Sequence, residues 1–116
     1  MAKLSVHDAV TKDLASIWDY IDEKSGSTEI ADRVIETIQA TFLELLNNPY
    51  LGNSYKTGIL ELEGLQRFLV QKYKFRYHIF FIREVDHIRV LYVCHHAQNI
   101  RDRMFEDLRA PLKTSE

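Results

Sequence analysis

Between Val10 and Ile21 the apolar residues Val10, Leu14, Ile17, Trp18 and Ile21 recur at i, i+4, i+7, i+8 and i+11, the period of one helix face. Asp13, Asp19, Asp22 and Glu23 fall off that stripe, and Asp8 is placed to cap the helix N-terminus. Lys24-Ser25-Gly26-Ser27 combines a late cation with a glycine stop. A second stripe follows on Ile30, Val34, Ile38, Phe42 and Leu45, widened by Ala31, Ile35 and Leu46, which predicts a helix from about Thr28 to Asn47. The short linker makes the two helices an antiparallel hairpin. Asn47-Asn48-Pro49-Tyr50-Leu51-Gly52-Asn53 breaks the helical pattern with turn residues.

From Ile59 the period changes to two. Leu60-Glu61-Leu62-Glu63-Gly64 reads as a short strand and turn, and Gln66 to Tyr73 alternates with Phe68 and Val70 on one face. Phe75, Tyr77, Ile79 and Phe81 alternate with Arg76 and His78, and Arg83-Glu84-Val85-Asp86-His87 makes a hairpin turn. Ile88 to Cys94 is apolar on both faces, with Val90 and Tyr92 opposed to Leu91 and Val93, as in a central strand buried twice. Lys3 to Val6 adds a short β segment at the start, and Asn99 to Leu108 a short polar helix at the end. Helices grouped on one face of an antiparallel sheet define an α+β fold: an N-terminal helical hairpin packed on a C-terminal antiparallel sheet, with a short C-terminal helix. We expect one domain over residues 1–110 and a loose tail over 111–116.

Composition changes this picture little. With 116 residues, 46% hydrophobic and 28% charged, the chain suits one ordinary globular domain. No apolar run is long enough to span a membrane, the first residues lack a signal-peptide core, and the single Cys94 fits a reducing compartment, so a cytoplasmic location is expected. Charge is more telling. Residues 1–63 carry 5 Lys/Arg against 11 Asp/Glu, a balance of −6, and residues 64–116 carry 10 against 6, a balance of +4. A basic C-terminal half is suited to a polyanion or an acidic partner.

Candidate chemistry gathers in that basic half. Cys94, His95 and His96 are adjacent, but neighbouring strand residues point to opposite faces, so only Cys94 and His96 share a side. Two ligands are too few for zinc, no metal site or cofactor is expected, and a thiol ending a buried strand is a poor nucleophile. Arg67, Lys72, Lys74 and Arg76 lie in two successive β segments, interleaved with Phe68, Tyr73, Phe75 and Tyr77. Cations beside flat rings suit single-stranded RNA. Alternation alone produces the same appearance, with aromatics to the core and cations to water. Metal-free RNA scission needs a base, an acid and cations on the developing phosphorane. Arg67 or Arg76 with His78, His95 or Glu63 supplies the residue types, without a distinctive spacing.

Several segments resemble the RelE/ParE toxin superfamily. They are Asp13-Leu14-Ala15-Ser16-Ile17-Trp18-Asp19-Tyr20-Ile21, Asn48-Pro49-Tyr50-Leu51-Gly52, Leu65-Gln66-Arg67-Phe68-Leu69-Val70, Tyr77-His78-Ile79-Phe80-Phe81, Ile88-Arg89-Val90-Leu91-Tyr92-Val93-Cys94-His95 and Arg101-Asp102. Together they run in the family's order over about residues 3–108. The resemblance implies a toxin of a type II toxin–antitoxin pair, a plasmid-stabilisation protein, bound by a cognate antitoxin. Its RelE-like branch cuts mRNA on the ribosome, using an Arg where this chain has His78 (with Arg76 as a substitute) and later groups where it has Ala97-Gln98-Asn99. Its ParE-like branch blocks DNA gyrase without chemistry of its own, and the DL-x-x-I-x-x-YI and V-x-H signatures match that branch better. The expectation is a ParE-like gyrase inhibitor, with an RelE-like ribonuclease and an inactive antitoxin-binding member as alternatives. Target-binding candidates are Arg67, Lys72, Lys74, Arg76, Arg101 and Arg103; a ribonuclease would instead use Arg67, Arg76, His78 and His95. Ile17, Trp18, Ile21, Ile38 and Phe42 are the antitoxin-binding candidates, and the expected assemblies are a heterotetramer with the antitoxin or a homodimer.

Overall fold

The computed structural model describes residues 3–56 and 63–95. In chain order they form β1 (Lys3–Val6), α1 (Asp8–Ser25), α2 (Thr28–Asn47), β2 (Asn53–Ser54), β3 (Leu65–Lys72), β4 (Phe75–Glu84) and β5 (His87–Cys94). The strands make one sheet in the order β1-β5-β4-β3-β2, antiparallel except for the parallel pair β1 and β5. This is the expected α+β arrangement. The C-terminal helix expected over residues 99–108 and the tail over 111–116 lie outside the described residues, as does the strand expected at 60–62. Among the described residues no helix is long and apolar enough to cross a membrane.

Local chemistry sets the helix ends. The N-terminus of α1 is capped by His7 rather than Asp8: its Nδ1 accepts the Ala9 N–H at 3.1 Å. Asp8 is instead the first helical residue, where its carboxylate still faces the positive end of the dipole. Gly26 closes α1 at φ 67°, the left-handed conformation of a glycine C-cap, and Ser27 caps α2 by accepting the Ile30 N–H. The Trp18 indole N–H donates to Asp32 Oδ1 at 2.7 Å and ties the two helices together.

The main core lies between the helices and one face of the sheet. Val10, Ile17 and Ile21 of α1 and Val34, Ile38, Phe42 and Leu45 of α2 meet Val70, Phe75, Tyr77, Ile79, Phe81, Ile88, Val90 and Val93. A smaller cluster of Leu65, Phe80, Ile82 and Tyr92 is buried on the opposite face. One feature of β5 departs from the expected alternation. Phe81 pairs with Val90 but Phe80 with Tyr92, so Leu91 is an extra residue, a β-bulge. The bulge reverses the phase of the strand: Val90 and Val93 face the helices, and Tyr92 faces away. Val90 and Tyr92 therefore do not share a face.

Where β1 ends, α1 takes its place beside β5. The His7 N–H donates to the Val90 carbonyl at 2.9 Å, and the Val93 N–H donates to Asp13 Oδ2 at 3.0 Å. Asp13, the acidic residue of the DL-x-x-I segment, thus satisfies a backbone donor that β1 is too short to reach.

Candidate functional site

The cations that the sequence singles out are distributed by strand alternation. Arg67 of β3 lies opposite Phe80, Leu69 opposite His78 and Gln71 opposite Arg76. These six residues share the sheet face turned away from the helices. Along that face the environment changes: Leu65 and Phe80 are buried, Arg67 and His78 half-buried, and Leu69, Gln71 and Arg76 exposed near the β3–β4 turn. Tyr55 extends the surface at the buried end. Its ring meets Phe80 edge-on at 5.1 Å, and the Arg67 guanidinium lies over it at 5.8 Å. At the other end the Arg76 Nε donates to Gln71 Oε1 at 3.3 Å.

This geometry decides between the readings that the sequence leaves open. Phe68, Phe75 and Tyr77 pack on the helix side, so the interleaved aromatics do not form a stacking platform with Arg67 and Arg76. Tyr73 and Lys74 sit in the β3–β4 turn, and Lys72 has the opposite parity to Arg67, with its Nζ 5.1 Å from the Tyr73 ring. Arg67 and Arg76 are set four residues apart by the register, about 13 Å along the strands. The basic set is a stripe rather than a cluster.

The two histidines are also separated. His78 lies on the far face beside Phe80, with 6.4 Å between ring centroids. His95 lies on the helix side, its ring 5.4 Å from Tyr77 and 5.9 Å from Tyr20 of α1. Burial, with the neighbouring Tyr20 adding to it, pushes the Tyr77 phenol up to about 12, so it stays protonated at neutral pH. Glu63 occupies an exposed turn ahead of β3. No single face gathers Arg67, Arg76, His78 and His95 around one reacting atom. Arg101 and Arg103 lie outside the described residues. Among the described residues no three His, Cys, Asp or Glu side chains come together to hold a metal ion.

The apolar stripes expected to bind an antitoxin are corrected in their placement. Ile17, Ile21, Ile38 and Phe42 are between 0 and 8% exposed and pack against the sheet, while the half-buried Trp18 is held by Asp32. Their methyl groups and rings are already used by the chain's own core. An amphipathic stripe reads the same in sequence whether it meets a sheet or a partner, and here it meets the sheet.

Arg83 and Gly52, each read from the sequence only as turn residues, hold the loop after α2. Arg83 donates from Nη2 to the Asn48 and Leu51 carbonyls at 3.3 and 3.4 Å, and its guanidinium lies over Phe81 at 5.6 Å. Gly52 stands at φ 100°, and a Cβ there would come within 2.6 Å of Phe81 Cζ and 2.8 Å of Gln66 Oε1. The Pro49-x-x-Gly52 spacing thus has a steric cause: Gly52 is the point where the loop presses on the core.

Comparison with known proteins adds what geometry alone leaves open. The model of the ParE toxin of type II toxin–antitoxin systems (parDE) matches residues 4–100. The chain belongs to the ParE toxin family. A solved chain of the chromosomal ParDE toxin–antitoxin system from P. aeruginosa has the same fold, with TM-score 0.65 and 18% identity, covering 82% of this chain and 96% of that one. No curated protein matches the chain. The ParE toxin described here therefore carries its basic stripe on a sheet scaffold shared with a ParDE-system chain, and it is a toxin component of the type II class.

Proposed function

We propose that this ParE-family toxin acts by docking on DNA gyrase, and that a cognate antitoxin in the cytoplasm keeps it inactive. One observation carries the non-chemical reading: His78 and His95 lie on opposite sides of the sheet, with Arg67 and Arg76 spread about 13 Å along it. Acid–base scission of RNA needs those groups around one phosphate, within hydrogen-bond reach of the atoms that exchange protons. A stripe of cations on a stiff hairpin suits instead a broad protein surface of opposite charge, which it would find quickly through electrostatic steering. The ParDE pairing of the P. aeruginosa relative supports an antitoxin partner here.

The deciding experiment uses the purified toxin, freed of antitoxin. Cleaved DNA should accumulate in a gyrase reaction while mRNA on translating ribosomes stays intact. Ribosome-dependent mRNA cleavage with gyrase unaffected overturns the proposal in favour of an RelE-like ribonuclease. Induced expression that leaves growth unchanged overturns it in favour of a member that only binds its antitoxin.

A further inference from the structure

The β3–β4 hairpin is free of acidic residues. Residues 64–83 hold five cations, Arg67, Lys72, Lys74, Arg76 and Arg83, and no Asp or Glu. Three of them, Lys72, Lys74 and Arg76, fall within five residues around the turn. Alternation sends these three to different sides. Arg76 lies on the face turned away from the helices, Lys72 has the opposite parity, and Lys74 sits in the turn between them. Lys74 and Arg76 are exposed, and Lys72 is half-buried. A cation on an edge strand can serve to keep sheets apart, but that role calls neither for one in the turn nor for one on each side of it.

The turn is also strained. Lys72 pairs with Phe75, so Tyr73 and Lys74 are its two central residues. Tyr73 stands at φ 56°, the only non-glycine with positive φ among the described residues. Asn or Gly suits that conformation, and a bulky ring is an outlier there. The ring is 50% exposed, with Lys72 Nζ 5.1 Å from its centre, and the Gln71 amide donates to the Tyr73 carbonyl at 3.2 Å. A strained aromatic kept in an exposed turn points to a contact outside the fold. The hairpin is rigid before that contact is made. Val70, Phe75 and Tyr77 anchor its helix side in the core, and no described strand flanks it beyond Arg67 on one edge and His78 on the other.

We propose that the β3–β4 turn binds the phosphate backbone of duplex DNA through Lys72, Tyr73, Lys74 and Arg76. Duplex DNA carries a phosphate charge about every 1.7 Å of its axis, on both walls of each groove. A β-ribbon about 5 Å across its backbone fits a major groove about 12 Å wide, with the cations on either side of it each facing a wall. A flat acidic protein surface would meet one side only. The helices cover one side of this ribbon, so the turn alone can enter. The contact is therefore with phosphates, through the three cations and the Tyr73 hydroxyl, and has no base preference. DNA binding of this kind needs no gyrase, so it stands or falls separately from the gyrase reading.

The test is fluorescence anisotropy of a labelled duplex of about 20 base pairs with the whole toxin at about 50 mM salt, without gyrase. Two duplexes of unrelated sequence should bind equally. Log affinity should fall with log salt at a slope of about −2.7, as for three neutralised phosphates. Lys74→Ala should weaken binding about ten-fold and Tyr73→Asn about three-fold. Neither should lower the unfolding temperature, because Lys74 is exposed and Asn suits the positive φ. Lys12 is an exposed cation of α1, and Lys12→Ala should bind like the parent. Absence of binding at that salt, equal losses from Lys12→Ala and Lys74→Ala, or affinity unchanged in both turn variants overturns the proposal. Tighter binding of the matching single strand assigns the turn to unpaired bases, and full displacement by an equimolar glutamate peptide assigns it to an acidic protein. Either result overturns duplex binding.

Discussion

On the helix side of the sheet Phe75, Tyr77, Ile79, Phe81, Ile88, Val90 and Val93 are all 8% exposed or less. The other side grades from the buried Leu65 and Phe80, through the half-buried Arg67 and His78, to the exposed Leu69, Gln71 and Arg76. The first side is buried along its whole length, and buried apolar area is the main source of folding free energy. The second side keeps its charges where water still reaches them, so ionised groups are held in place without the cost of full burial. A β-hairpin can serve both sides because its side chains alternate. The difference teaches that stability and binding are separable in this molecule, and substitutions should divide accordingly.

The largest effect belongs to the helix side. Ile38→Ala removes a side chain that is 1% exposed and sits in the middle of the core. It should cost about 3 to 4 kcal/mol in urea unfolding, typical of a large-to-small change in a close-packed interior. A loss under about 1 kcal/mol, with antitoxin binding abolished, would mean that Ile38 meets the partner and not the sheet. Gly52→Ala follows at about 3 kcal/mol, the sum of a side chain forced to positive φ and a methyl driven against Phe81 and Gln66. If the Gly52→Ala protein unfolds at the same urea concentration as the parent, the loop does not press on the core.

Tyr77 sharpens the comparison through pH. Its phenol is raised from the ordinary 10 to about 12 by burial, with the neighbouring Tyr20 as a lesser cause. Below pH 10 the group is neutral in both states and contributes no slope. Between pH 10 and about 12 the unfolded chain ionises first, so stability falls at about 1.4 kcal/mol per pH unit from this group, and the slope ends above 12. The Tyr77→Phe protein should lack that share of the decline, as the difference between the two urea midpoints at pH 9 and pH 11.5. Asp13→Ala comes next, at about 1 to 2 kcal/mol, because it leaves the Val93 N–H without its acceptor. Amide exchange at Val93 should speed up more than at Ile79, which lies inside the sheet between β3 and β5.

Much of this was legible in the sequence, and the failures have physical reasons. The two helices follow from stripes of period 3.6, and the break between them from Gly26 and Ser27. Alternation placed Arg67 and Arg76 opposite Phe68, Phe75 and Tyr77 correctly. The bulge at Leu91 was hidden, since an inserted apolar residue in an apolar run leaves the run looking the same. His7 was passed over as a cap because Asp8, beside it, is the commoner choice, although a neutral imidazole nitrogen accepts an N–H equally well. The two-residue β2 is too short to show a period, and with it Tyr55 was missed as the neighbour of Arg67. For the site, residue types were visible but their separation was not. Only the register shows that Arg67 and Arg76 stand four residues apart, and only ring contacts show on which side His95 falls.

The smallest effect on stability should fall on the basic stripe, and it is the one that bears on function. Arg76 is exposed, with a single long hydrogen bond to Gln71, so Arg76→Ala should change unfolding by no more than about 0.5 kcal/mol. Arg67 is half-buried and its guanidinium covers the Tyr55 ring, so Arg67→Ala should cost slightly more, about 1 kcal/mol, through lost packing as well as lost charge. If the stripe docks a target, both variants should fold yet lose growth inhibition, and the double variant should lose it further, because each cation would contribute separately along an extended surface. If the stripe is only a solvated face, both should remain as toxic as the parent. A third pattern is also informative. Arg67→Ala inactive beside a fully toxic Arg76→Ala would move the binding surface toward Tyr55 and the buried end of the face, away from the exposed β3–β4 turn.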